Sequence, residues 1–151
     1  MKKWIALLVL PVLLAAMAVP ALADDNNHQV AQVLKITEGV EEGKVPKADH
    51  LQDEQMMEIF REFQETEEAE EILPEDMEIK HLTMIRQRDV ANSGKPIELS
   101  LRAWGACNRY LVVLFKPLEE EDWTVVAAAQ GEFIDAVLPG DGQYALAWSW
   151  G

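Results

Sequence analysis

A single cysteine in 151 residues excludes a disulfide framework within the chain. It also removes Cys-rich zinc sites, which need several sulfur or imidazole ligands at short spacing. Basic residues are scarce, 13 Lys and Arg against 27 Asp and Glu, for a net charge of −14. That balance argues against nucleic-acid binding, which relies on a basic surface to neutralise phosphates. Aromatics make up 7%. Signatures of catalysis are missing too. The three histidines, His28, His50 and His81, form no HExxH spacing. Ser93, Ser100 and Ser149 sit in no GxSxG elbow, the turn that exposes a nucleophile. The acidic stretches lack the D-x-D-x-D-G loop of a calcium site. No enzyme activity, cofactor or metal site is expected.

Residues 1–23 have the pattern of a secretory signal peptide. Lys2 and Lys3 precede an uncharged apolar stretch from Trp4 to Val19, and Ala21-Leu22-Ala23 offers the small-x-small site, with cleavage expected before Asp24. Pro11 interrupts the stretch, which is short for a membrane span. Removal would leave 11 basic and 27 acidic residues, a net charge of −16. Such repulsion favours a soluble monomer. The expectation is a product secreted or held at the cell envelope, with no stable membrane insertion.

Residues 24–48 read as a polar start, a strand over Gln29–Thr37 and a loop over Gly39–Pro46 punctuated by Gly and Pro. Residues 49–151 read as one domain. Its first part, Asp49–Leu73, is an amphipathic helix candidate: Met56, Phe60 and Phe63 recur at helical spacing, and Asp49 is placed to cap. Glu65, Glu67, Glu68, Glu70 and Glu71 then crowd without basic partners, and like charges four apart weaken a helix, so the firm helix should end near Glu65 and fray or restart before Pro74. Strand candidates follow. Glu78–Asp89 has an irregular apolar phase that suggests a bulge. Ile97–Ala103 alternates as a half-buried antiparallel strand does. Tyr110–Phe115 is apolar on both faces and should be central; Trp123–Gln130, Glu132–Leu138 and Tyr144–Trp150 complete the set. Short strands about ten residues apart predict a mainly β (α+β) antiparallel sandwich carrying one N-terminal helix. Met56, Phe60 and Phe63 are expected to pack on a sandwich of Leu99, Leu101, Leu111, Val113, Val125 and Leu146.

Several of these segments together resemble a known group. They are the strand Ile79–Asp89, the Pro-led strand Lys95-Pro96-Ile97-Glu98-Leu99-Ser100-Leu101, the strand Tyr110–Pro117 and the segment Asp122–Val126. The pattern over Asp49–Trp150 resembles small immunoglobulin-like β-sandwich modules of secreted and cell-surface proteins of Gram-positive bacteria. It departs from them at Pro139-Gly140-Asp141-Gly142 and at Trp148 and Trp150, where aliphatic residues are more usual. The resemblance implies an accessory or binding module and no reaction.

Two surfaces compete for a binding role. Between Asp53 and Glu78 stand 12 carboxylates and one basic residue, Arg61. Such a run is most simply a solvated face, but Glu58, Glu62, Glu65, Glu67 and Glu68 could present it to a basic envelope protein. Tyr144, Leu146, Trp148 and Trp150 share one strand face. Trp148 and Trp150, with Trp104, would stack on a glycan if exposed, or fill the core if not. A structural spacer is the third reading. Cys107, between Arg102 and Arg109 in sequence, is either a partly buried turn residue or a thiol that pairs between chains.

Overall fold

A computed structural model describes residues 31–43, 51–104 and 109–150. The expected signal peptide (1–23), His28, the Asp49 cap, His50 and Cys107 in its turn lie outside the described residues. Of Trp150 only the backbone is described.

Among the described residues, eight strands form two antiparallel sheets. In chain order they are β1 (Gln32–Ile36), β2 (Glu41–Gly43), β3 (His81–Ala91), β4 (Ile97–Arg102), β5 (Tyr110–Pro117), β6 (Thr124–Gln130), β7 (Phe133–Leu138) and β8 (Gly142–Trp150). Helices α1 (Asp53–Gln64) and α2 (Glu67–Ile72) stand between β2 and β3. The smaller sheet has the order β1-β4-β7, the larger β2-β3-β8-β5-β6. The mainly β sandwich read from the sequence is present. The short strand β2 lies in the expected Gly39–Pro46 loop and pairs with β3, Glu41 facing Ala91.

Alternation decides which side chains meet. On β4, Ile97, Leu99 and Leu101 are buried while Glu98 is exposed. They face Leu111, Val113 and Phe115 of β5 and Tyr144 and Leu146 of β8 in the core between the sheets. The opposite parity of the larger sheet, Val112 and Leu114 of β5 with Ala145 and Ala147 of β8, is buried as well. It lies in a second core with Met56, Phe60 and Phe63 of α1. The molecule therefore has three layers: small sheet, large sheet, helices. This corrects the expected contacts of α1, which meets Val112, Leu114 and Val125 rather than Leu99, Leu101, Leu111, Val113 and Leu146. β5 and β8 must be apolar on both sides because each has a layer above and below.

Bulges switch parity where one strand serves both cores. In β3 the register slips between Met84 and Arg86, so Leu82 belongs to the helix-facing core and Val90 to the inter-sheet core. In β6 the slip opposite Val113 and Leu114 puts Val125 and Ala128 toward the helices and Ala127 between the sheets. Arg86, past its bulge, donates from Nη1 to the Ala31 carbonyl (3.1 Å) and ties the start of β1 to β3.

Two turns lock at one end. Ser93 and Gly94 take positive φ (53° and 77°), and the Asp141 carboxylate accepts from the Asn92 N–H (2.5 Å) and the Gly94 N–H (3.1 Å). Next to it, Gly142 pairs with both Val90 and Pro117. A Cβ there would meet the Lys116 carbonyl oxygen and, at 2.9 Å, the Phe115 ring, so only glycine fits.

Candidate functional site

The helical layer starts at Gln52, whose N–H donates to Gln55 Oε1 (3.3 Å). Asp53 and Glu54 follow in the first turn, where carboxylates complement the positive helix end. Thr66 then ends one helix and begins the next. Its hydroxyl donates to the Phe63 carbonyl (2.7 Å), and the same oxygen accepts from the Ala69 N–H (3.3 Å), the N-cap bond of α2. The expected interruption near Glu65 is present at this residue. Ala69 is buried below, and Leu73 packs against the helix-facing core. Ile72 stays 36% exposed.

With the apolar stripe spent on the sheet, the rest of the layer faces water. Glu58, Glu62, Glu65, Glu67 and Glu68 are all exposed. Among the described residues none of the five takes part in an ion pair. Asp53 Oδ2 lies 3.9 Å from His81 Nδ1, both well exposed, a pair that is ionic only when the imidazole is protonated. Such pairs contribute little stability. The layer is thus a stack of like charges on helices packed against the large sheet, with Arg61 near its middle.

The tryptophans are divided. Tyr144 and Leu146 are buried between the sheets, and Trp148, on the same face, is half-buried against that core with the Arg109 guanidinium 4.9 Å from its ring centre. Trp104 is 45% exposed just beyond β4. Its ring carries the Arg102 guanidinium at 3.4 Å, and Arg102 also lies 5.2 Å from the exposed Phe133 ring. Arg102 Nη2 pairs with Glu132 Oε2 at 3.2 Å, while the Ala103 N–H donates to the Glu132 carbonyl (2.7 Å). This cluster was not read from the sequence. Its one sequence signal is Arg102-x-Trp104 at strand spacing, and Phe133 joins only through the β4–β7 register.

The remaining candidates are held in structure. Ser100 donates to Asp135 Oδ1 (2.6 Å), and the buried Ser149 hydroxyl accepts from the Tyr110 N–H (3.0 Å). Among the described residues no three His, Cys, Asp or Glu side chains lie placed to hold a metal ion. No helix among them is long and apolar enough to cross a membrane. No family model matches this chain, and no curated protein or solved structure matches it.

Proposed function

We propose that the chain is a secreted, non-catalytic accessory module at the cell envelope that presents the outer face of α1 and α2 to a basic protein partner. One observation carries this reading: five exposed glutamates, unpaired among the described residues, stand on a helical layer whose apolar side is fixed to the sheet. A field of one sign attracts and orients a partner of the other sign. The N-terminal pattern of residues 1–23 supports export. The hydroxyls of Ser100 and Ser149, both engaged in structural bonds, support a role without catalysis.

Kinship with immunoglobulin-like modules is part of the proposal. Two facing antiparallel sheets support it, and the central place of β8 between β3 and β5 departs from it. A glycan-binding role is the second reading, favoured by the exposure of Trp104. Against it, guanidinium groups lie over the rings of both Trp104 and Trp148, so neither presents two bare faces.

The test is a pull-down from envelope extract with the chain from Asp24 onward, at low and high salt, beside a glycan array. A partner retained at low salt and released at high salt is expected, since exposed charges are screened beyond about 10 Å at 0.1 M. Salt-resistant glycan binding, lost in Trp104→Ala or Trp148→Ala, would reverse the ranking.

A further inference from the structure

A cleft of about 770 Å³ opens at the locked end of the large sheet, and no residue of α1 or α2 lines it. Its volume is in the range of small-ligand sites. Register sets its floor. Asp89 of β3, Gln143 of β8 and Lys116 of β5 are direct cross-strand neighbours, so they form one row across three strands. Strands lie about 4.8 Å apart, which puts the Asp89 and Lys116 backbones about 10 Å from each other. Glu41, opposite Ala91, adds a second carboxylate on the Asp89 side. Pro117 and Leu118 supply apolar walls, with Leu118 70% exposed at the rim.

The polar groups of this row are held apart from one another. Lys116 Nζ lies 5.5 Å from the Trp123 ring centre, on the side away from Asp89. Gln143 Oε1 accepts from Gln87 Nε2 (3.1 Å), which leaves the Gln143 amide donors to the cleft it lines. Gln87 Oε1 is buried and has no partner among the described residues, an acceptor left over beside the floor. Asp89 and Glu41 make no ion pair among the described residues. The cleft thus offers negative charge at one end, an amide donor in the middle and positive charge at the other.

We propose that this cleft binds a short zwitterionic peptide of about three residues, its ammonium group on Asp89 and Glu41 and its carboxylate on Lys116. Three extended residues span about 10 Å, the separation of the backbones that carry Asp89 and Lys116. A central apolar side chain would rest on Pro117 and Leu118. The site stands apart from the acidic helical face and does not depend on it.

Calorimetric titration of the full chain with Gly-Leu-Gly, its N-acetylated form and its C-amidated form tests the proposal. The free tripeptide should bind, and capping either end should weaken binding about tenfold, one charge-assisted contact's worth. Lys116→Met should abolish the penalty for C-amidation and keep that for N-acetylation. Asp89→Asn with Glu41→Gln should do the reverse. Glu67→Gln with Glu68→Gln should change neither. Equal binding of all three ligands, no binding of the free tripeptide, or capping penalties that persist unchanged in the cleft variants would each overturn it. The capped ligands act on the unaltered protein, so the result stands even if a variant fails to fold.

Discussion

Single residues carry much of the register. Gly142 lets β8 pass between β3 and β5 at the point where both Val90 and Pro117 pair with it. Gly142→Ala forces a Cβ onto the Lys116 carbonyl and the Phe115 ring, and backbone cannot yield as a flexible side chain can. Overpacking of this kind costs about 1–3 kcal/mol. Urea unfolding should place the variant at the upper end of that range; a change below about 0.5 kcal/mol would mean the strands separate there at little cost. Asp141, one residue earlier, satisfies two N–H groups of the β3–β4 turn. The Pro-Gly-Asp-Gly run announces a turn. Its Asp as a clamp on a turn 47 residues away cannot be read from a local pattern.

At the scale of elements, Phe60 anchors α1 to the sheet and is 1% exposed. Phe60→Ala should cost about 3–5 kcal/mol, the usual range for a buried Phe truncated to Ala. Hydrogen exchange should show α1 amides losing protection before those of β4 and β7, since among the described residues none of the small sheet belongs to the helical core. Uniform loss across all elements would show that the layers unfold as one. The strands were legible where burial is one-sided or two-sided throughout: β4 alternates, and β5 is apolar at every position from Leu111 to Phe115. The β3 bulge was legible as an irregular phase. Which side of β5 receives the helix was not, because Val112 and Val113 are chemically identical and only the third dimension separates them. β2 was missed because three residues in a Gly-containing loop carry too little pattern. At the candidate site, the glutamates were legible because nothing local neutralises them. The Arg102–Trp104–Phe133 cluster was not, because it depends on pairing across 30 residues of chain.

For the whole molecule, the net charge is −14, and 12 of the carboxylates stand between Asp53 and Glu78, in the helical layer and the segment that follows it. Repulsion among them opposes the compact state, and salt shortens its reach from about 10 Å at 0.1 M to about 3 Å at 1 M. The thermal midpoint should therefore rise with sodium chloride between about 0.02 and 0.5 M, and a falling midpoint would show that attractive pairs dominate instead. The same charge is the basis of the proposed recognition. The most direct test replaces Glu58, Glu62, Glu65, Glu67 and Glu68 together by Gln, which keeps size and helix propensity while removing five charges. Retention of envelope partners at low salt is then compared between this variant, the unaltered chain and Trp104→Ala. The account predicts that the five-Gln variant folds, gains thermal stability and loses the salt-sensitive partner, while Trp104→Ala retains it. A five-Gln variant that keeps the same partner at the same salt concentration would contradict it.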